Sequence, residues 1–210
     1  MNFSPDQIIH IITGFIIVLL SLSVHEWGHA YMADRLGDDT PRLQGRVTLD
    51  PRAHIDMIGT VLMPVIALMV NFAVIGWAKP VMINSRNLPK TADRAWVTIA
   101  GPAMNLVLAL FAAVALGVAG HYSEGLARFA RLVMQINVCL MFFNLLPVPP
   151  LDGSKFLMYW FGMSEEAYSS FARFGWIILL VLINIPQTQH LFLLGLNLAM
   201  LPFYAVASLL

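Results

Sequence analysis

Apolar residues run along this chain in long blocks, separated by two polar stretches. The blocks cover about 8–33, 57–76, 92–119, 126–146, 169–185 and 191–210, and the polar stretches cover 34–56 and 77–91. A helix needs about 20 apolar residues to cross the hydrocarbon core of a bilayer, and most of the blocks come close to that length. The block at 169–185 is shorter, and Pro186 marks its expected end because proline cannot continue a helix. The pattern predicts an all-α polytopic membrane protein with five to six transmembrane helices. The polar stretches are expected to hold short extended or strand segments. Leu43–Leu49 alternates weakly and ends at Asp50-Pro51, which reads as a short strand. Trp77–Ile83 reads as a second, confined to an edge by Pro80.

Composition agrees with the pattern. The chain has 210 residues, of which 59% are hydrophobic and 11% charged, against about 25% charged in ordinary soluble domains. Twelve basic and twelve acidic residues balance, so net charge points to no nucleic-acid partner. The single cysteine, Cys139, excludes an intrachain disulfide and a multi-cysteine zinc site. The first seven residues hold no Lys or Arg, and the first apolar block continues past Ser21-Leu22-Ser23. That block therefore reads as an uncleaved membrane helix rather than a signal peptide. No internal repeat is visible, and no stretch is polar and long enough to form an attached soluble domain.

Most of the cations lie in the two polar stretches: Arg35, Arg42, Arg46 and Arg52, then Lys79, Arg86 and Lys90. The positive-inside rule puts both stretches on the cytoplasmic side. Simple alternation forbids this if 57–76 crosses the bilayer once. That block, which carries Pro64 and Asn71, is expected to be re-entrant or partly interfacial.

The chemistry begins at His25-Glu26-Trp27-Gly28-His29, an HExxH motif inside the first apolar block. On a helix, residues i and i+4 lie about 40° apart and roughly 6 Å along the axis. His25 and His29 can grip one metal ion, with Glu26 beside them as general base. Ionisable groups at membrane depth are costly and usually face a polar cavity where they do chemistry. A catalytic zinc commonly has three protein ligands, so a third is expected from His, Asp or Glu in or near a membrane segment. His10 lies too far along the same helix, and His121 and His190 fall in short connections. Asp152 is the strongest candidate. It follows Pro147, Pro149 and Pro150, which cannot continue a helix. Unwound backbone at membrane depth persists only where protein or a water-filled cavity satisfies it. The plainer alternative makes Asp152 the N-cap of a short helix over 154–162.

HEWGH early, followed by Asn144-Leu145-Leu146-Pro147-Val148-Pro149-Pro150-Leu151-Asp152-Gly153, resembles the site-2 protease family of intramembrane zinc metalloproteases (peptidase family M50). Similarity to its compact prokaryotic branch extends to Arg35-Leu36-Gly37-Asp38, Asp50 to Asp56, Gly76 to Pro80 and Ala100 to Asn105. The resemblance covers about residues 20–160. It implies Zn2+ held by His25, His29 and Asp152, with Glu26 as general base. It further implies that Asn144 holds the substrate backbone or stabilises the oxyanion, with a helix-packing bond as the alternative. Asn105 and His54 match family positions. Substrate contact or support of the site stands against helix packing for Asn105 and against a bond to a loop carbonyl for His54.

The resemblance thus implies one membrane-embedded metalloprotease domain over 1–210, with a catalytic core at about 8–162 and C-terminal helices over 169–210. Such an enzyme acts by regulated intramembrane proteolysis in the prokaryotic plasma membrane. Its partners would be the lipid bilayer, a membrane-protein substrate with a transmembrane segment, and a regulatory protein. The substrate must unwind locally before its carbonyls are accessible, and an edge near 43–49 is expected to receive it by strand addition. A metal transporter and a proteolytically inactive metal-binding protein are the competing classes. A permeation path needs ionisable groups at several depths, whereas here they cluster at one, and Glu26 fits a hydrolase.

Overall fold

The computed structural model describes residues 4–63 and 77–210. The described residues are helical and turn-like, with no β-strand among them. Their contacts fall into two compact units, Met1–Val97 and Thr98–Leu210.

The first unit is built on helix α1, Pro5–Arg35. Its start is fixed by a capping box: Ser4 Oγ accepts from the Gln7 N–H at 3.3 Å, and Gln7 Oε1 accepts from the Ser4 N–H at 2.9 Å. Pro5 sits in the first turn, where its missing N–H would lack a helical partner anyway. The helix runs unbroken through Ser21–Ser23. At its other end Trp27 stacks on Tyr31 (ring centroids 5.1 Å apart), and the Arg35 guanidinium lies 5.3 Å from the Tyr31 centroid. This aromatic–cation ladder suits a membrane–water interface.

After α1 come the single-turn helix α2 (Thr40–Leu43), a 3-10 turn at Pro51–Ala53, and a π-helical turn at Met57–Leu62 capped by Asp56. The strand expected at Leu43–Leu49 is therefore corrected. Pro41 starts a helical turn there, Gly45 takes a left-handed φ of 66°, and the Arg46 N–H bonds back to the Pro41 carbonyl at 2.8 Å. Local turn bonds have replaced a ladder. Trp77–Ile83 is likewise not a strand. Its N–H groups bond on alternate residues, as in an extended chain, but to scattered loop and side-chain acceptors rather than to a neighbouring strand. The expectation for 57–76 lies, beyond Met63, outside the described residues. Ala33, Leu88 and Val97 form the buried apolar cluster of this unit.

Helix α3, Thr91–Gly120, contributes its first turns to this unit and the remainder to the second. The second unit continues with α4 (Glu124–Asn144), α5 (Phe156–Tyr159), α6 (Glu165–Arg173), α7 (Gly175–Asn184) and α8 (Pro186–Ser208). Small residues of α3 (Ala109, Ala112 and Ala113) pack with Met134 and Val138 of α4 and Met200 and Phe203 of α8. Small side chains let membrane helices approach closely. A Cβ on Gly117 would lie 2.6 Å from the Ala207 carbonyl oxygen, so the α3–α8 approach requires glycine there.

Helices α1, α3, α4 and α8 are each long and apolar enough to cross a membrane. The pair α6 and α7, bent by 54°, makes a fifth if it serves as one broken span. Large apolar side chains such as Ile9, Phe15, Phe111, Leu193 and Leu198 stand exposed on these helices, the arrangement expected when lipid is the solvent.

Candidate metal and catalytic site

Helical periodicity brings His25 and His29 together on α1. Their Nε2 atoms are 3.1 Å apart, the rings meet edge to face with centroids at 4.7 Å, and both residues are buried. His29 Nδ1 lies 2.7 Å from the Val97 carbonyl oxygen. A carbonyl only accepts, so Nδ1 carries the proton and Nε2 presents a lone pair. Two imidazole nitrogens this close are joined either by a shared proton or by a cation. A metal-binding histidine typically has its other nitrogen fixed in this way. The donor set fits zinc, which favours imidazole nitrogen.

Glu26 projects from the same helix. Its Oε2 accepts from the Val81 backbone N–H at 2.9 Å. Arg46 is buried and donates to the carbonyls of Ala53 and Lys79. Burial pushes its guanidinium below its ordinary pKa, while the Glu26 charge pulls it back up; Arg46 remains a cation. Asp38, fully buried, is a second organising group. Its Oδ1 accepts from the Thr40 N–H (3.2 Å), Thr40 Oγ1 (2.6 Å) and Asn87 Nδ2 (2.8 Å), and its Oδ2 accepts from the Asn84 N–H (2.7 Å). Burial pushes the Asp38 carboxyl up, but these hydrogen bonds together outweigh it and hold the group below its ordinary value.

His54 is buried in the same unit, and its Nε2 donates to the Thr48 carbonyl at 2.9 Å. That is the loop-carbonyl bond expected as the alternative to a role at the site. Its Nδ1 is buried with no partner among the described residues.

In the second unit, α4 ends at Asn144, and turns through the proline-rich stretch lead to a 3-10 helix over Asp152–Lys155. Asp152 is buried there, and its Oδ1 accepts from Lys155 Nζ at 2.9 Å. Ser154 Oγ donates to the Leu151 carbonyl at 2.6 Å and lies 2.9 Å from the Tyr168 hydroxyl on α6. A Cβ on Gly153 would overlap the Leu145 carbonyl and lie 2.6 Å from the Leu146 oxygen. Glycine at 153 thus lets the chain fold back against the end of α4. Asn144 Nδ2 donates to the Leu140 carbonyl at 3.0 Å, and that nitrogen carries a second N–H. Asn105 Nδ2 donates to Asn137 Oδ1 at 3.0 Å, joining α3 to α4 inside the apolar core.

Four groups escaped the sequence reading: Arg46, Asp38, the Val81 amide and the Ser154–Tyr168 pair. Arg46 and Asp38 stood in plain view as loop residues, but their acceptors and donors are far away in sequence. A backbone amide carries no side-chain signal at all.

Peptidase family M50 is the family whose model matches this chain, over residues 13–125 and 119–183. The protein named "Putative zinc metalloprotease YwhC" from Bacillus subtilis (strain 168) is 37% identical over 186 residues, covering 83% of this chain and 81% of that protein. Rip2 of Mycobacterium tuberculosis (strain H37Rv), which bears the same description, is 32% identical over 177 residues, or 83% of this chain and 67% of that protein. Rip3 from the same strain, also so described, is 32% identical over 182 residues but only 39% of its own length is matched. No solved structure matches the chain.

Proposed function

The chain belongs to peptidase family M50 and is a zinc metalloprotease, and we propose that it works inside the bilayer, hydrolysing a peptide bond within or near the transmembrane segment of another membrane protein. The observation that carries this reading is the position of the histidine pair. His25 lies ten residues before the end of a 31-residue apolar helix, roughly 15 Å from that end at 1.5 Å per residue. Chemistry at that depth meets substrates that are themselves in the membrane. The proposed location is the prokaryotic plasma membrane, and the proposed process is regulated intramembrane proteolysis, with a regulatory protein as a further partner.

We propose His25, His29 and Asp152 as the zinc ligands. When bound, zinc supplies Lewis acidity, which polarises the scissile carbonyl and acidifies an adjacent water. Glu26 takes the proton of the attacking water as the water oxygen bonds to the carbonyl carbon. It then returns that proton to the amide nitrogen as the C–N bond breaks, so one water is consumed and two chain ends are released. The second N–H of Asn144 is suited to hold the substrate backbone or the carbonyl oxygen as it becomes anionic. The substrate helix unwinds locally, since its carbonyls are otherwise engaged in internal hydrogen bonds.

The test is zinc stoichiometry and cleavage of a membrane-peptide library by the purified protein in detergent. Glu26→Gln should retain zinc and lose activity by about 10²- to 10⁴-fold, the usual loss when general-base help is removed. Asp152→Ala should lose zinc. Full activity in Glu26→Gln, or undiminished zinc in Asp152→Ala, would sink the respective assignment.

A further inference from the structure

In an extended chain the N–H and C=O of one residue point to the same edge, and successive residues point to opposite edges. Trp77, Lys79 and Val81 bond in this alternating phase. Trp77 N–H donates to the Gly59 carbonyl at 3.2 Å, Lys79 N–H to the His54 carbonyl at 2.8 Å, and Val81 N–H to Glu26 Oε2 at 2.9 Å. In the same phase the Trp77 carbonyl accepts from Thr60 Oγ1 at 2.8 Å, and the Lys79 carbonyl accepts from Arg46. Pro80 has no N–H, but it occupies the opposite phase, so its missing donor removes nothing from this row. Beyond Val81 the segment is held again, by the Asn84 N–H on Asp38 Oδ2 at 2.7 Å.

Val81 is thus fixed from both sides. Arg46 and the His54 carbonyl hold the chain two residues before it, and Asp38 holds it three residues after. A segment pinned at this many points is a strut, and the group it presents to the catalytic helix is one amide hydrogen. A glutamate side chain loses rotamer entropy when it is ordered. A charge-assisted hydrogen bond to one oxygen supplies that ordering in advance.

We infer that Trp77–Asn84 is a positioning arm for the catalytic base, in which the Val81 N–H holds Glu26 Oε2 so that Oε1 takes the proton of the attacking water. The inference rests on Glu26 acting as the base, as proposed above. Val81 itself is a positioning residue: it touches the base and not the substrate.

Val81→Pro deletes the donor and keeps a φ that an extended chain tolerates, whereas Val81→Ala keeps the donor and trims the side chain. In the purified full-length protein in detergent, Val81→Pro lowers kcat about ten- to hundredfold, the loss expected for one hydrogen bond to a charged group. Its KM stays within about twofold, because the bond orients the base rather than binding substrate, and its zinc content is unchanged. Val81→Ala behaves as the unaltered protein. Amide exchange supplies a readout that needs no turnover: the Val81 N–H exchanges at least about tenfold faster in Glu26→Ala, while the Lys79 N–H does not change. If Val81→Pro fails to fold, this exchange measurement decides alone. Unaltered kcat in Val81→Pro, or a Val81 amide indifferent to Glu26→Ala, overturns the inference. A raised kcat also overturns it, since the arm would then restrain the base instead of aiming it. Full activity in Glu26→Gln removes the reading on which the inference stands, and the exchange rates still report whether the bond exists.

Discussion

At the scale of single residues, the site combines groups that announce themselves in sequence with groups that do not. His25, Glu26 and His29 were legible because a helix converts a four-residue spacing into a shared face, and the 3.1 Å Nε2 separation follows from that. Asp38 was invisible as an organiser because its donors come from residues 40, 84 and 87. Its energetics give a pH-dependent prediction. A carboxylate held below its ordinary pKa stabilises the fold fully above the unfolded value, and that stability is lost as pH falls through the folded value. Asp38→Asn replaces one acceptor oxygen by a donor that faces other donors, which should cost about 1–3 kcal/mol at pH 7. In thermal unfolding of the detergent-solubilised protein, the gap between the unaltered chain and Asp38→Asn should begin to narrow below about pH 4, where the carboxyl of the unfolded chain protonates, and narrow further as pH falls through the lower folded value. A gap that stays constant from pH 7 to pH 3 would contradict the assignment.

At the scale of elements, the long helices were legible and the short ones were not. Apolar blocks at 8–33, 92–119, 126–146 and 191–210 correspond to α1, α3, α4 and α8 within a few residues at each end. Length and burial in lipid dominate there, and neither depends on tertiary detail. Leu43–Leu49 was misread because weak alternation says little once Pro41 and Gly45 dictate turns. Trp77–Ile83 is not the edge strand expected there; its N–H groups bond on alternate residues, but to single acceptors on several elements, which no local pattern reveals. Asn105 shows how one element decides between readings left open by the sequence. Its bond to Asn137 ties α3 to α4, and interhelical bonds of this kind contribute about 0.6–1.7 kcal/mol. Asn105→Ala should therefore lower the unfolding temperature while KM for a membrane peptide stays the same. Combined with Asn137→Ala it should show a coupling energy of that size in a double-mutant cycle. A raised KM with unaltered stability would assign Asn105 to substrate contact instead.

At the scale of the molecule, the decisive relation is between the two polar stretches on either side of the 57–76 block. Charge alone put both on the cytoplasmic side. Within the Met1–Val97 unit the described residues add a physical reason. Asp38 accepts from Asn84 and Asn87, Arg46 donates to Lys79, and the Lys79 N–H reaches the His54 carbonyl. Groups joined by direct hydrogen bonds cannot lie on opposite sides of a hydrocarbon core about 30 Å thick. The stretches at 34–56 and 77–91 are then expected on one side of the membrane, and the positive-inside rule predicts that this side is the cytoplasm. Gln44 and Ser85 are exposed and make no side-chain bond to this network, so cysteines there report sidedness without disturbing it. In a Cys139→Ser background, Gln44→Cys and Ser85→Cys should both resist an impermeant thiol reagent in intact cells and both react in inverted vesicles. Opposite labelling of the two would separate stretches that the Asp38 and Arg46 bonds hold together. It would undo the positioning arm along with the topology, because Val81 reaches Glu26 only if the arm lies on the side from which Asp38 and Arg46 can hold it.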